Sequence, residues 1–359
     1  MLTIVIPTYC EAENIGGLIG LIADAIEGRL QYEVLIVDDN SPDAIADVVA
    51  GLADRYPVRL MQPAGRPKDL SLSVIDGIRE AASDLVLVMD ADHSHPPEKI
   101  PEMYEALKSD SASFVIGSRY VVNGSFDRRW SLWRFLNSHI ATMLTRPLTD
   151  CADPMSGFFA FDRRRVDLHK LNPIGYKIGL ELMVRGDFDA VKEVPIRFQD
   201  RETGESKMNF IQQLRFLRHL RRLYTARFGS FVEFVNYGAV GASGFVVDLF
   251  FYYLLQQLGV PHQGARALSF WPAVTWNWRF NRRATFSERK LRPGGRQWVE
   301  FVITSLFGFS LNWGVYVFLT SQSSFFDEYR LLALIAGIGV ASVFNFIMSS
   351  LYVYSEKRQ

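Results

Sequence analysis

The sequence of 359 residues contains only two cysteines, Cys10 and Cys151, and has no excess of either charge. Two cysteines are too few for a disulfide scaffold or a multi-cysteine zinc module. Basic and acidic residues both number 39, which excludes a typical nucleic-acid-binding protein, since such proteins are strongly basic. The sequence has neither a GxxxxGK[ST] nor a GxGxxG loop, which counts against ATPases and dehydrogenases. The opening MLTIVIPTYC is too short and too interrupted for a signal peptide.

The balanced charge is the sum of three unlike regions. Residues 1–209 carry 23 basic and 32 acidic side chains, a net charge of −9. Residues 210–228 carry five arginines and no acid, and residues 229–359 carry 11 basic and 7 acidic side chains. These regions predict an acidic globular domain, a basic connecting segment and a third part in a different environment.

In residues 1–209, short apolar runs alternate with amphipathic helical patterns. The runs predict strands at Thr3–Ile6, Glu33–Val37, Val58–Met61 and Leu85–Met89. This alternation indicates an α/β fold with a doubly wound, mostly parallel sheet. Ligands of such sheets bind at the carboxyl ends of the strands, so we expect the site at the turns after the first, second and fourth strands.

The region 229–359 contains four largely apolar stretches. They cover about 231–255, 264–281, 299–320 and 331–354, and all but the second are long enough to span a bilayer. The alternative is a set of buried helices in a soluble domain. Arginines cluster between the second and third stretches, whereas the linkers 256–263 and 321–330 hold a single Arg330. The positive-inside rule then predicts an all-α domain of four spans, with both termini, the middle loop and the catalytic domain in the cytoplasm.

The four stretches also look like a duplicated pair. The tripeptide at 233–235, EFV, recurs at 300–302, and NWRFNRRATFS at 277–287 recurs loosely as NFIMSSLYVYS at 345–355. The sequence therefore predicts two tandem hairpins of the same orientation.

The connecting segment 210–228, FIQQLRFLRHLRRLYTARF, has apolar residues every three or four positions and arginines between them. This spacing predicts an amphipathic helix lying in the interface of an anionic membrane. The alternative is a solvated helix packed on the globular domain.

The strongest local signal is VMDADHSHPPE at 88–98, where Asp90 and Asp92 follow a hydrophobic strand. Mg²⁺ and Mn²⁺ prefer carboxylate oxygens and often take only one or two from the protein, with substrate phosphates supplying others. The pair therefore suits a metal-bound nucleotide diphosphate, although a solvated acidic turn is the alternative. His93 and His95 are not accompanied by a thiolate or an HExxH helix, so zinc is disfavoured.

Two further polar turns follow strands: IPTYCEAENI at 6–15 and VLIVDDNSPD at 34–43. Either Asp38 or Asp39 is placed to accept hydrogen bonds from a base or ribose, as acids beyond strands do in dinucleotide folds.

The three turns together resemble the inverting family 2 glycosyltransferases, and in particular the polyprenol-phosphate (dolichol-phosphate) mannose synthases. The segments VIGSRY (115–120), DPMSGFFAF (153–161), GYKIGLELMV (175–184) and VKEVPIRFQDRETGESKM (191–208) extend the resemblance. The tail is similar to the GtrA-like membrane domains fused to some of these enzymes. The resemblance implies a GT-A-like sheet that binds a nucleotide sugar, and a polyprenyl-phosphate acceptor.

The resemblance also implies roles for individual residues. Those expected to bind the nucleotide sugar are Pro7, Tyr9, Glu11, Val37, Asp38, Asp39, Asp90, Ala91, Asp92, Arg201 and Lys207. Those expected to meet the acceptor phosphate are Arg119, Arg134 and Ser138. Asp90 and Asp92 would bind Mg²⁺ or Mn²⁺, and Ser94 stands where some members have a glutamine ligand. Asp90, Asp92 and Arg119 are the expected catalytic residues.

The expected reaction is inverting transfer of one hexose, mannose from GDP-mannose, to a polyprenyl phosphate. An acceptor phosphate with a second pKa near ~6 is already an anionic nucleophile, so Asp153 is expected to position other groups rather than to act as a base. Transfer from a UDP-sugar is the alternative within this class. A lipid-linked-sugar flippase or a plain anchor is the alternative for the tail. No QxxRW segment occurs, which argues against a processive polysaccharide synthase.

Overall fold

The structure is a computed structural model that describes residues 1–109, 112–126, 132–198, 210–287, 289 and 293–355. The chain divides into two compact units, Met1–Arg227 and Phe228–Gln359.

The first unit is built on a seven-stranded sheet in the order β3-β2-β1-β4-β7-β5-β8. Its strands are β1 Leu2–Thr8, β2 Tyr32–Asp38, β3 Val58–Met61, β4 Leu85–Val88, β5 Phe114–Ser118, β7 Phe159–Asp162 and β8 Val191–Pro195. β6 Ser125–Phe126 and β9 Arg197–Phe198 form a separate parallel pair. Only β7 runs antiparallel to its neighbours, β4 and β5, so the predicted α/β class and mostly parallel sheet are confirmed.

The helices of this unit lie between successive strands, except the last, which follows the final strand. They are α1 Ala12–Ile26, α2 Ile45–Ala53, α3 Leu70–Glu80, α4 Ile100–Lys108, α5 Leu132–Thr145, α6 Ile178–Arg185 and α7 Phe210–Phe228. Short 3₁₀ turns cover Pro97–Lys99, Arg163–Arg165 and Leu168–Lys170.

Two hydrophobic cores cover the two faces of the sheet. In β1, Ile4 and Ile6 belong to one core while Val5 between them belongs to the other, because successive side chains of a strand point to opposite faces. Helices α1, α2 and α4 complete the first core, and α3 and α6 complete the second. The predicted strands therefore read as continuous apolar runs because both faces of the sheet are buried.

Helix α7 matches the predicted range 210–228, and its apolar side chains divide between two environments. Leu220 and Leu223 are buried in a third cluster of the first unit, with Leu148, Met155 and Leu180. Leu214 and Leu217 are 47% and 50% exposed. The helix therefore packs on the globular domain through Leu220 and Leu223 and leaves the apolar side chains of Leu214 and Leu217 exposed.

The second unit is helical: α8 Ser230–Gln257, α9 His262–Phe280, α10 Gly294–Gln322, the short α11 Ser324–Glu328 and α12 Arg330–Met348. Within the described residues, three helical segments are long and apolar enough to cross a membrane: Ser230–Gln257, Gly294–Gln322 and Arg330–Val353. The second predicted span, 264–281, forms α9, which does not reach that apolarity. A fourth span thus stays a prediction.

Each hairpin of this unit ends in the same unusual way. The helices α9 and α12 each continue into a single π-helical turn, Asn281–Thr285 and Ser349–Val353. These two turns fall at equivalent positions of the repeated segments 277–287 and 345–355. Such turns are rare, so their recurrence supports the duplication that the sequence predicted.

A similar glycine–asparagine contact occurs inside both hairpins. The carboxamide of Asn277 occupies the space where a Cβ on Gly244 of α8 would lie, and Asn345 does the same to Gly308 of α10. Glycine at both points lets two helices approach closely, as small residues do in membrane helix pairs.

Candidate active site

The carboxyl ends of four strands meet at one edge of the first unit. The last residues of β1 and β2, Thr8 and Asp38, lie side by side in parallel register. Strand β4 is parallel to β1 on its other side, in a register that brings Asp90 to the same edge, level with Pro7. Strand β5 runs in the same direction, because β7 is antiparallel to both β4 and β5, so Arg119 emerges at this edge too.

Asp38 is buried, and its carboxylate is hydrogen bonded to neighbouring groups of the chain. Its carboxylate accepts hydrogen bonds from the backbone N–H of Ser41 (2.8 Å), the Ser41 hydroxyl (2.5 Å), the Gln62 amide (2.9 Å) and the Thr8 hydroxyl (3.2 Å). Burial alone would raise the pKa of Asp38, but these hydrogen bonds outweigh it and lower the pKa below its ordinary value. Asp38 thus fixes the turn after β2 as an anion.

Asp39 has a comparable structural role. It pairs with Arg66 at 2.9 Å and accepts hydrogen bonds from the Ser73 hydroxyl (2.8 Å) and the backbone N–H of Asp69 (2.9 Å). Asp69 in turn caps helix α3 by accepting from the N–H groups of Ser71 and Leu72. A carboxylate of the chain itself therefore occupies the amino end of α3.

The turn after β1 carries side chains that are exposed to solvent at this edge. Tyr9 is 45% exposed, and the Lys68 ammonium lies 4.2 Å from the centre of its ring. Cys10 is exposed, with a φ of 59°, and its backbone N–H donates to the Ser41 hydroxyl. Glu11 accepts a hydrogen bond from Asn14 at 2.6 Å. Pro7 and Val37 are buried at the strand ends.

Asp90 and Asp92 lie in the turn after β4 with the hydroxyl of Ser94. Both carboxylates are partly exposed, and Ala91 between them is buried. The Ser94 Oγ atom is buried and has no hydrogen-bond partner among the residues that the structure describes. A buried hydroxyl without a partner costs free energy unless a ligand satisfies it. Two carboxylates and an orphaned hydroxyl fit the oxygen preference of Mg²⁺ or Mn²⁺. Among the described residues no cluster of three His, Cys, Asp or Glu side chains could hold a metal.

His95 is buried beneath this turn, and its imidazole ring is neutral. It accepts the backbone N–H of Asp90 through Nδ1 at 3.0 Å and stacks on Phe158, with 5.2 Å between ring centroids. Burial lowers the pKa of His95 despite the nearby carboxylates of Asp90 and Asp92. Gly157 leaves room for this arrangement, since a Cβ there would lie 3.1 Å from the Asp90 Oδ2 atom.

Arg119 is held by a fully buried carboxylate. Its Nε and Nη2 atoms donate to the two oxygens of Asp153 at 2.7 and 2.8 Å, and its backbone N–H donates to the same group at 3.0 Å. Burial works against the charged guanidinium, but the hydrogen bonds to Asp153 outweigh it, so the pKa of Arg119 is raised. Asp153 is therefore committed to orienting Arg119.

Four of the predicted site residues cannot be placed in this geometry. Arg134 and Ser138 belong to α5, and their side chains are outside the described part of the structure. Arg201 and Lys207 lie in 199–209, also outside the described residues.

One charged residue at this edge was not predicted from the sequence. Lys177 immediately precedes α6, and its Nζ atom donates to the backbone carbonyl of Met155 at 2.8 Å. The only sequence signal for it was its place within GYKIGLELMV, one of the segments that resemble the family.

Comparison with known proteins agrees with this architecture in both units. Residues 3–166 match the family model "Glycosyl transferase family 2", and residues 236–354 match "GtrA/DPMS, transmembrane domain". The chain therefore belongs to the family 2 glycosyltransferases that carry a GtrA/DPMS transmembrane domain, and it is a glycosyltransferase and a membrane protein.

Relatives with a curated name span most of the chain. A dolichol-phosphate mannosyltransferase of Pyrococcus furiosus is 36% identical and covers 96% of this chain and 97% of its own length. Those of Saccharomyces cerevisiae and Mycosarcoma maydis are 33% and 37% identical, covering 71% and 64% of this chain and 96% and 80% of their own lengths.

Proposed function

We propose that the protein transfers one mannose from GDP-mannose to a polyprenyl phosphate such as dolichyl phosphate, with inversion. The observation that supports this most is the identity of 36% over 96% of the chain to a dolichol-phosphate mannosyltransferase, which includes both units. The bond between the sugar C1 atom and the donor diphosphate breaks, and its electron pair leaves with GDP. A bond from C1 to an oxygen of the acceptor phosphate forms on the opposite face, giving a β-linked product from an α-linked donor.

The nucleoside binds over the ends of β1 and β2 in this proposal. Tyr9 and Glu11 supply exposed contacts there, and Pro7 and Val37 form the floor. Asp38 and Asp39 act by fixing the loops around the nucleoside, because their oxygens are already hydrogen bonded within the chain. Arg201 and Lys207 are proposed to contact the donor as the family resemblance implies.

Asp90, Asp92 and Ser94 are proposed to hold Mg²⁺ or Mn²⁺ against the donor diphosphate, with Ala91 supplying backbone between them. The bound ion would neutralise the charge that develops on the leaving GDP. His95 holds the backbone of Asp90, and Gly157 leaves room for its carboxylate.

Arg119 is proposed to bind the acceptor phosphate, with Arg134 and Ser138 as further contacts. A phosphate monoester is already anionic at neutral pH, so the chain has to orient it rather than deprotonate it. The buried Asp153 serves this end by holding the guanidinium in one orientation.

A donor competition tests the proposal directly. We expect purified full-length protein, given polyprenyl phosphate and either Mg²⁺ or Mn²⁺, to convert labelled GDP-mannose to a labelled lipid. An equal concentration of unlabelled UDP-glucose should lower that rate by less than twofold. Unlabelled GDP-mannose should instead compete equally with the labelled donor and lower the labelled rate accordingly. NMR of the product should show a β linkage.

Other results would contradict defined parts of the proposal. Preferred use of UDP-glucose would correct the donor and leave the acceptor intact. An α-linked product would contradict inversion. No labelled lipid with either donor would overturn the function and favour a flippase or anchor role for the helical tail.

We further propose that four spans place the catalytic unit and both termini in the cytoplasm, with the exposed side chains of α7 in the membrane interface. The basic loop after α9 and the linkers 256–263 and 321–330, in which Arg330 is the one Lys or Arg, support this orientation. Leu214 and Leu217 on α7 are exposed beside Arg215 and Arg218, as an interfacial helix requires.

The two native cysteines allow this topology to be tested. Cys10 is exposed and Cys151 is buried, so a membrane-impermeant maleimide should label Cys10 in inverted vesicles and not in intact cells. A Glu328→Cys variant in the linker between α10 and α12 should show the opposite pattern, and Cys10→Ser identifies the labelled site. Labelling of Cys10 from outside intact cells would contradict the orientation.

A further inference from the structure

Lys177 stands at the active-site edge, with its ammonium 4.8 Å from the centre of the neighbouring Tyr176 ring. Its Nζ atom donates to the carbonyl oxygen of Met155, which is a neutral acceptor. Among the residues that the structure describes, Nζ has no carboxylate within ion-pairing distance. By comparison, the ammonium of the exposed Lys170, earlier in the same segment, pairs with the Asp167 carboxylate at 3.5 Å. Placing an unpaired ammonium in a partly buried position costs free energy, and a bound anion would offset that cost.

The position of Lys177 on its helix adds to this argument. It is the residue immediately before α6, where the free N–H groups of the helix carry partial positive charge. A cation is unfavourable at this end of a helix, whereas an anion is favoured. An anion bound beside Lys177 would therefore be favoured by both the ammonium and the helix end.

The surroundings of Lys177 hold it in place. Gly175, two residues earlier, has a φ of +82°, and its carbonyl oxygen accepts the Ser71 hydroxyl at 2.6 Å. A Cβ on Gly179, two residues later, would lie 3.0 Å from the Phe159 ring and 3.4 Å from the Ser156 carbonyl oxygen. The chain is therefore anchored on both sides of Lys177, and α6 packs tightly against the loop that carries Asp153 and Gly157.

The charged groups that face Lys177 belong to both the proposed metal site and the proposed acceptor-phosphate site. Burial and the guanidinium of Arg119 lower the pKa of Lys177 to about 8, while the carboxylates of Asp153 and Asp90 act in the opposite direction. Because Arg119 shares its charge with Asp153, and Asp90 is assigned to the metal, Lys177 is a further cation, among the residues that the structure describes, whose charge is available to a phosphate.

We propose that Lys177 binds a phosphoryl group of one substrate and stabilises its negative charge during transfer. This inference rests on the proposed function, because it assumes that a nucleotide sugar and a lipid phosphate meet at this edge. The phosphoryl group is either the leaving diphosphate of the donor or the phosphate of the acceptor, which share the same anionic oxygens.

The experiment compares Lys177→Met, Lys177→Arg and the control Lys170→Met in the full-length protein. We expect Lys177→Met to lower kcat/KM for one of the two substrates by about tenfold to a hundredfold. Lys170→Met should match the wild type. Lys177→Arg, which keeps the charge, should retain most of the activity, and its rate should fall at a higher pH than the wild-type rate because arginine stays protonated above pH 8.

GDP binding, measured by calorimetry with Mn²⁺ and without acceptor, assigns the phosphate. Weaker GDP binding by Lys177→Met would assign Lys177 to the donor diphosphate. Unchanged GDP binding with a raised KM for the lipid would assign it to the acceptor.

Two outcomes overturn separate claims. If Lys177→Met, at an unchanged thermal midpoint, has both kcat/KM values and the GDP affinity within twofold of the wild type, the assignment of Lys177 is wrong. If the wild type binds GDP but forms no lipid product, the proposed function fails, while the GDP-binding comparison still decides whether Lys177 meets a nucleotide phosphate.

Discussion

Replacing Asp92 with asparagine should lower turnover by about 10²–10³-fold while the protein stays folded. The substitution keeps the shape of the side chain but removes one of the two negative charges proposed to hold the divalent cation. Asp92 is partly exposed, and the amide oxygen of an asparagine can accept the hydrogen bond that the Ser94 N–H donates to its Oδ1 atom at 3.1 Å, so we expect little loss of stability. The rate is measured with saturating GDP-mannose and polyprenyl phosphate.

The metal dependence of the same variant shows whether Asp92 binds the metal ion. A metal ligand predicts that Asp92→Asn needs a higher Mn²⁺ concentration for half-maximal rate, and that Mn²⁺-dependent GDP binding weakens in parallel. Asp47→Asn, an exposed acid in the first turn of α2, is the matched control and should behave as wild type. An Asp92→Asn enzyme with wild-type turnover and an unchanged Mn²⁺ titration would rule out Asp92 as a ligand.

Strand periodicity explains why part of this site could be predicted from the sequence. Apolar runs that are buried on both faces mark the strands, and the direction of a parallel sheet then places the residues after them at one edge. Asp38, Asp90 and Arg119 all follow such runs, and the structure brings them to that edge. The pattern did not show that Asp38 and Asp39 would be engaged by their own loops, because Gln62, Ser73 and Arg66 reach them only in three dimensions.

Contacts between segments that lack a regular period could not be predicted. Asp153 and Lys177 lie in irregular chain before β7 and α6, so nothing in their spacing indicates which strand end they approach. The same limit applies to α7. Apolar residues at helical spacing suit a membrane surface and a protein surface equally, and the structure shows that Leu220 and Leu223 pack on the protein while Leu214 and Leu217 stay exposed. Only the fold distinguishes the two faces.

The pairing of Arg119 with Asp153 gives rise to the second large expected effect. Asp153 is fully buried, and Arg119 is 10% exposed, so Asp153→Ala leaves a nearly buried guanidinium without its counter-charge. Breaking such a pair typically costs about 3–5 kcal/mol. For a unit of this size we expect the thermal midpoint of the catalytic unit to fall by about 10 °C. The KM for the lipid phosphate should rise, because Arg119 loses the group that orients it.

A double variant separates positioning from general-base catalysis. Arg119→Met combined with Asp153→Ala removes the unpaired charge, so it should be more stable than Asp153→Ala alone while staying inactive. A general base predicts a different pattern: Asp153→Asn would abolish kcat, leave the KM for the lipid and the thermal midpoint unchanged, and remove the acidic limb of the pH–rate profile. That pattern would overturn the positioning role. It is not expected, since both oxygens of Asp153 are already committed to Arg119 at 2.7 and 2.8 Å and an ionised acceptor phosphate has no proton to give up.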